Sequence, residues 1–337
     1  MKKVTLIIAY CLLLNACITM GIKGEQAMEY VLQLSEKGNR NQSQLQEKTI
    51  EILSERLKEY GYADKQITFK VLPDKQLKVN LAAIDDSERV KKLLTERGYF
   101  SMQECFNQNE IFADKPAETI DELLQSAFQR KVDRLQKTDD TQAATDMNEN
   151  PQNLFSPLFE VNEIDESGEL GFALAKDTSQ INRYLRSPAI KYLFPNNAVF
   201  MWSRSPDQNS IQNNHFALYA AKVPTNEKDF LDNNDILEVR SDKNYHNQPI
   251  VSLKFKESSH QKLERLSAMN VNRAILITLN NQVVSAPVVM EKLTGGAAQI
   301  TGNFSEAEVI DLMNMLGKKY LPVEVKLLSE KVSRAKE

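Results

Sequence analysis

The sequence predicts an α+β protein that consists of a β-α-β-β-α-β base and an α/β subdomain inserted into it. Short runs of alternating apolar and polar residues predict strands, and runs with apolar residues three and four positions apart predict helices. These runs form two series, separated by a polar stretch that begins near residue 108. The chain has 337 residues, of which 42% are hydrophobic and 26% charged, which is enough for two subdomains with separate cores.

The first series occupies residues 25–107. It contains, in order, a strand at 27–34, a helix at 43–60, a hairpin at 67–81, a helix at 86–97 and a strand at 99–106. In the first strand the alternation places Met28, Tyr30 and Leu32 on one face. The order β-α-β-β-α-β is that of the ferredoxin-like arrangement. Residues 320–330 add a further alternating run and are predicted to complete this base.

The second series forms the predicted α/β head, residues 155–319. Between the two series, residues 108–154 are predicted to be a polar linker or an exposed insertion, because Lys137 to Asn150 contain too few apolar residues to offset the entropy lost on ordering. The head is predicted to contain strands at 171–175, 198–203, 215–223 and 251–255, a hairpin around Asn280-Asn281, and helices that begin at Thr178, Ser258 and Ser305.

Residues 1–17 are predicted to be a lipoprotein signal peptide. Two lysines precede an apolar run from Val4 to Leu14, which is shorter than the roughly 20 residues needed to span a bilayer. The next residues, Leu14-Asn15-Ala16-Cys17, resemble a bacterial lipobox, so Cys17 is the expected site of lipid attachment. The alternative is an ordinary cleavable signal with an incidental cysteine.

The charges and the supply of reactive side chains argue against several classes of protein. The 42 basic and 46 acidic residues are interspersed, so we expect no nucleic-acid partner. His215, His246 and His260 lie in different predicted elements without the spacing of metal ligands, so we expect no metal site. Cys105 lies in a strand and is interpreted as a small core residue rather than a nucleophile. We therefore expect no catalytic residues, no cofactor and no enzymatic activity.

Two further motifs have a structural and a functional interpretation. Thr294-Gly295-Gly296 is not followed by the Gly-Lys-Ser/Thr of a phosphate loop, and a glycine pair of this kind favours a turn over nucleotide binding. Trp202, the single tryptophan, lies within a predicted strand, where core packing is favoured over ligand stacking. No residue pattern supports a hydrolase.

Four motifs follow one another in the C-terminal third: Ser285-Ala286-Pro287, Thr294-Gly295-Gly296, Gln299 to Phe304, and Leu321-Pro322. In these motifs and their order, this part of the chain resembles the first periplasmic domain, P1, of the SecD and SecDF protein translocase subunits. A weaker resemblance covers Ser156 to Ser203, similar to the head insertion of fused SecDF, and Thr49 to Gly61, similar to the "I-L-x-x-R" helix of the P1 base.

This resemblance implies a binding function. It implies a lipid-anchored module on the periplasmic side of the bacterial envelope that captures unfolded or translocating polypeptide, with the Sec translocase as a further candidate partner. Family members carry membrane helices on both sides of P1, and the sequence shows a lipobox instead, so we expect this chain to assist export without its own proton motor. The alternative is a structural lipoprotein that keeps the fold but docks onto an envelope complex.

Overall fold

The chain forms two compact units, each described here by itself. A computed structural model describes residues 26–334 except 36–41, 83–85, 113–119, 128, 131–154, 156–157, 161–167, 207–213 and 225–229. Unit 1 is the described part of Met1–Arg97 and Leu321–Glu337, and unit 2 is the described part of Gly98–Tyr320. The predicted signal peptide with Cys17 and most of the predicted linker lie outside the described residues.

Unit 1 is a four-stranded antiparallel sheet with two helices. Numbered in chain order, its elements are β1 (Gln26–Leu34), α1 (Gln42–Tyr60), β2 (Ile67–Leu72), β3 (Gln76–Leu81), α2 (Ser87–Thr95) and β14 (Val325–Arg334). The strand order across the sheet is β14-β1-β3-β2. The alternation predicted for the first strand is present, because Met28, Tyr30 and Leu32 are all buried in the core of this unit. The turn between β2 and β3 has positive φ at Asp74 and Lys75, which fits a two-strand hairpin.

The prediction that the strand at 99–106 belongs to the base is wrong. This strand, β4 (Phe100–Phe106), pairs in unit 2 with β7 (His215–Lys222) and β11 (Ile275–Leu279). Side chains on both of its faces are buried, so it needs packing on both sides of a sheet. The outer strand of the base sheet, next to β1, is instead β14.

Arg56 on α1 is fully buried in unit 1. Its guanidinium donates to three main-chain carbonyl oxygens at the end of α2, those of Leu93 at 2.9 Å, Glu96 at 2.6 Å and Arg97 at 3.0 Å. These groups follow the last helical turn, where carbonyls lack partners within the helix. Burial lowers the pKa of Arg56 to about 10, so the side chain is still charged at neutral pH. Arg56 therefore caps α2 and joins it to α1.

Unit 2 contains two sheets. The elements not yet given are α3 (Gln108–Phe112), β5 (Glu169–Leu174), α4 (Thr178–Leu185), β6 (Ala198–Trp202), β8 (Leu231–Asp232), β9 (Ile236–Lys243), β10 (Pro249–Phe255), α5 (His260–Met269), β12 (Gln282–Ser285), β13 (Ala297–Ile300) and α6 (Glu306–Met315). The larger sheet has the order β12-β11-β4-β7-β5, with β6 beside β7 and β8 beside β4. The smaller sheet has the order β13-β10-β9, and α5 and α6 contribute to the same core. The protein is thus a mixed α/β structure with several antiparallel sheets.

The beginning of the predicted linker is part of unit 2. Residues 108–112 and 120–127 are helical, and Ile111 and Ile120 are fully buried in the core formed with β5 and β7. These apolar residues fall within a stretch whose overall composition is polar, and the linker was predicted from that composition. Residues 131–154 lie outside the described part of the chain.

Two asparagines hold the start of unit 2. The buried Asn233 accepts a hydrogen bond from the Phe100 N–H at 2.8 Å and donates to the carbonyls of Gly98 at 2.9 Å and Gly317 at 3.3 Å. Asn280 lies in the predicted turn and has positive φ, as does Asn281. The Asn280 carboxamide oxygen accepts from the Gly98 N–H at 2.8 Å. The turn that the sequence predicted therefore also anchors the strand entering this unit.

Asp235 is a buried carboxylate with a full set of donors. It accepts from Ser259 Oγ at 2.6 Å, from Lys262 Nζ at 3.0 Å and from the Asp232 main-chain N–H at 2.9 Å. Burial alone would raise its pKa, but these donors outweigh burial and hold the pKa of Asp235 below its ordinary value of 3.8. The carboxylate therefore joins the start of α5 to the β8–β9 turn.

We predict that Asp235→Asn destabilises unit 2 in a pH-dependent manner. A folded pKa below the unfolded one means that the ionised carboxylate stabilises the fold above pH 3.8 and that this contribution is lost as pH falls further. At pH 7 the loss should be about 2 kcal/mol, because hydrogen bonds to a charged group are removed. Denaturant unfolding of wild type and variant at pH 7 and pH 3 measures it. Asp242→Asn, at an exposed position of β9, is the control; a loss from Asp235→Asn that is as large at pH 3 as at pH 7 contradicts the prediction.

Candidate polypeptide-binding surface

Cys105, interpreted from the sequence as a core residue, is buried in unit 2. Its thiol donates to the Ala274 carbonyl oxygen at 3.2 Å. Burial raises its pKa to about 11, against the opposite effect of Arg273 and Lys222. A thiol with such a pKa is protonated at neutral pH and is a poor nucleophile. Cys17, the predicted lipid attachment site, lies outside the described residues, and the lipid anchor stays a prediction.

The three histidines occupy separate places in unit 2. His215 is buried at the start of β7, His246 is exposed in the β9–β10 turn, and His260 begins α5. Within the part of the chain that the structure describes, no group of three or more His, Cys, Asp or Glu side chains is placed to hold a metal ion. The structure does not bring the three histidines together into one site.

Trp202 has a partner within the fold. Its indole N–H donates to the Asn182 carboxamide oxygen at 3.0 Å, and its ring packs against the core that contains α4. The hydrogen bond fixes the orientation of Asn182, because the indole can only donate. Trp202 is thus half-buried and supports α4.

The glycine pair of Thr294-Gly295-Gly296 makes a tight turn before β13. Both glycines have positive φ, +84° at Gly295 and +69° at Gly296. A Cβ at Gly296 would lie 2.0 Å from His260 Nε2, whereas a Cβ at Gly295 would meet no atom within 4 Å. The Gly296 carbonyl also accepts from the Phe255 N–H at 2.8 Å, next to the end of β10. The motif is therefore a structural turn that allows His260 to pack against the main chain.

Four apolar side chains are exposed beside the Ser285-Ala286-Pro287 motif. Their exposed fractions are 59% for Met269, 40% for Val271, 38% for Val288 and 77% for Met290. We call these four residues the methionine patch. They lie on two neighbouring segments, because Val271 pairs with Val289 and Ala274 with Val288. Several exposed apolar side chains on neighbouring segments, unlike a single exposed residue, make this surface a candidate interaction site.

Buried polar groups hold the two segments of the methionine patch in place. Ser267, at the end of α5, accepts from the Leu293 N–H at 2.9 Å. Asn270 lies between Met269 and Val271 of the patch and donates to the Leu266 carbonyl at 2.7 Å, at the end of α5. Val289 is buried between its two exposed neighbours. The patch is therefore exposed on a fixed main chain rather than on an unsupported loop.

The methionine patch was not found from the sequence. Methionine and valine occur both in cores and on surfaces, and Val288 and Val289 follow the hairpin predicted around Asn280-Asn281. The one usable signal is the consecutive Val288-Val289-Met290 after Pro287, which cannot all face one core.

In the described part of the chain, no helix is both long and apolar enough to cross a bilayer.

The comparisons with known proteins agree with the resemblance seen in the motifs. Residues 212–323 match the family model "SecDF, P1 head subdomain". Protein translocase subunit SecD of Rhodothermus marinus is 27% identical over 336 residues, covering 94% of this chain and 50% of that protein. SecD of Calditerrivibrio nitroreducens is 41% identical over 85 residues, covering 25% of this chain and 16% of that protein. A crystal structure of SecDF in a super-membrane-facing form covers 91% of this chain and 30% of its own, at 17% identity and a TM-score of 0.49.

The family model and the SecD relatives define the class of protein to which this chain is similar: residues 212–323 match the SecDF P1 head subdomain. More particularly, the similarity to SecD extends over most of the chain, which confirms the resemblance to the P1 domain of SecD and SecDF recognised from the sequence motifs. The chain spans about half the length of its Rhodothermus relative.

Proposed function

We propose that this chain acts in protein translocation as a non-enzymatic module that captures unfolded or translocating polypeptide. The proposal rests on the methionine patch, which exposes four apolar side chains on the P1 head subdomain itself. Relatives of this chain are named as protein translocase subunits, which supports a role in protein translocation. The work of the module is then binding and release, and no chemical step is involved.

The residue types in the patch suit clients of varied sequence. Methionine has an unbranched, polarisable side chain that adapts to different apolar partners, and it is over-used at promiscuous binding surfaces. The valines are stiffer and hold the shape of the surface between the two methionines. Charged neighbours such as Lys292, which pairs with Glu264 at 2.8 Å, keep the rim of the patch hydrated. Such a surface binds apolar segments weakly and without selecting one sequence.

The other parts of the proposal concern place and partners. We propose that unit 1 is a ferredoxin-like P1 base, which is supported by its strand order β14-β1-β3-β2 and its two helices. We propose that a lipid on Cys17 holds the module on the periplasmic side of the membrane, close to the Sec translocase. The module itself would supply binding, and the driving force for movement would come from its partners.

We predict that polar substitutions in the methionine patch weaken binding of unfolded polypeptide about tenfold. The test variant is Met290→Gln with Val288→Thr, which removes apolar surface and leaves the fold intact because both side chains are exposed. The matched control is Leu328→Gln with Val332→Thr, at exposed positions of β14 in unit 1. Fluorescence anisotropy with a labelled, permanently unfolded protein gives the affinities, and Trp202 fluorescence during denaturation checks the folding of unit 2.

Two results would count against this proposal. Equal losses in the patch variant and the β14 control would show that binding is not located at the patch. If unfolded polypeptide does not bind at all, while the chain recovers stable folded partners from the envelope, the module is a docking protein instead.

A further inference from the structure

The strand β6 has a main-chain edge that no described strand occupies. It pairs with β7 alone until Ser203, where a bridge to Val283 closes the edge. The Ser203 N–H donates to Ala217 and the Asn197 carbonyl accepts from Val223, so the odd-numbered residues of β6 face β7. In an antiparallel pair, alternate residues direct their N–H and C=O to opposite edges. The main-chain groups of Phe200 therefore point to the open edge.

A cavity of about 220 Å³ lies along this edge. Its lining includes the consecutive residues Ala198, Val199 and Phe200. Successive side chains of a strand point to opposite faces, so a cavity lined by three consecutive residues extends around the edge or the first residues of the strand. Phe194 also lines the cavity and meets Phe200 edge-on at 5.0 Å between ring centroids. The cavity is thus apolar on one side and open to main-chain hydrogen bonding on another.

The remaining wall of the cavity carries donors and no acid. Arg186 and Lys191 both line it, and neither forms an ion pair with any residue that the structure describes. Asn182 also lines it, and because its carboxamide oxygen accepts from Trp202, its NH₂ group is left as a donor. Two cations and an amide donor beside an apolar recess are complementary to a carboxylate attached to an apolar group.

We propose that the β6 edge binds an extended peptide segment that carries an acidic residue two positions from a large apolar residue. The segment adds to β6 through the main chain of Phe200, the apolar side chain enters the cavity, and the carboxylate meets Arg186 and Lys191. Spacing by two follows from the alternation of strand side chains, which puts both groups on one face. A peptide is favoured over a free or lipid carboxylate because only a peptide can use the open main-chain edge.

This inference rests on the proposed capture of polypeptide and adds a sequence preference to it. The methionine patch accounts for binding of apolar segments in general, whereas the β6 edge selects among them by charge. The two sites use different residues on unit 2, so each can be removed separately.

The test uses a labelled seven-residue peptide of threonine with Phe at its third position and Glu at its fifth. We expect the chain to bind it about tenfold more tightly than the same peptide with Lys in place of Glu, with the difference shrinking at high salt. Arg186→Gln combined with Lys191→Gln should remove this preference. Arg183→Gln, an exposed cation on α4 that does not line the cavity, is the matched control and should retain it. Alternate amides of a bound strand face β6, and the amides between them face away. N-methylation of the first set should weaken binding, whereas N-methylation of the second set should not.

Several outcomes would overturn the inference. These are equal affinities for the Glu and Lys peptides, equal effects of the Arg183 control, or amide methylation without effect in either set. Binding to anionic lipid vesicles that depends on Arg186 and Lys191, without any peptide preference, would assign the cations to the membrane instead. In each case unfolded protein should still bind through the methionine patch; loss of that binding from wild type would instead contradict the proposed function.

Discussion

Gly296→Ala should destabilise unit 2 by about 3 kcal/mol. Alanine at φ +69° costs about 1 kcal/mol or more in the left-handed region. The new Cβ, placed with ideal geometry, would lie 2.0 Å from His260 Nε2 and would overlap that ring. Overpacking of this kind costs about 1–3 kcal/mol. The main chain cannot move away freely, because the Gly296 carbonyl is hydrogen-bonded to Phe255. Trp202, the single tryptophan of the chain, lies in unit 2 and reports its unfolding in denaturant.

Gly295→Ala is the matched control for this effect. It introduces the same methyl group at φ +84° but meets no atom within 4 Å, so the cost should be limited to backbone strain of about 1 kcal/mol. Adding His260→Ala to Gly296→Ala should recover most of the difference between the two glycine variants. Equal losses at Gly295 and Gly296, or no recovery in the double variant, would contradict the packing role of the second glycine.

Arg56→Met should destabilise unit 1 by about 3 kcal/mol. Methionine keeps the apolar length of the side chain but removes the hydrogen bonds from the charged guanidinium to the carbonyls of Leu93, Glu96 and Arg97, and losing hydrogen bonds to a charged group costs about 1.5–3 kcal/mol. Hydrogen exchange of the amides in α1 and α2 measures the loss. Exchange in unit 2 provides an internal reference.

Lys48→Met is the control for Arg56→Met. Lys48 is an exposed cation on the same helix, and its replacement should leave exchange in both helices almost unchanged. If the two variants behave alike, the carbonyl contacts of Arg56 do not stabilise the unit.

Local patterns predicted many of the elements. Alternation identified β1 through Met28 and Tyr30. The helix predicted to begin at Ser305 is α6, and the Ser305 side chain accepts there from the Glu308 N–H. The Asn280-Asn281 turn was predicted because asparagine tolerates positive φ. These features depend on neighbouring residues alone, and such information is contained in a short window of sequence.

Long-range pairing could not be predicted in the same way. β4 follows α2 directly, and its alternation is compatible with either unit; its partner β11 lies about 170 residues further along the chain, with Ile275 opposite Glu104. The sequence identified Arg56 only as the arginine of a family motif. Its structural role could not be predicted, because that role depends on carbonyls about 40 residues away. The methionine patch and the β6 edge were missed for the same reason, since exposure and open edges are properties of the folded chain.

Equilibrium binding of one client protein, in a folded and in an unfolded form, tests most directly whether this chain captures unfolded polypeptide. A disulfide-bonded protein in its native form is compared with the same protein reduced and carboxymethylated, so that it cannot fold. Selective binding of the unfolded form, which is then recovered with unchanged mass, is the result we expect of a non-enzymatic capture module. Equal binding of both forms, binding of neither, or cleavage of the client would contradict it.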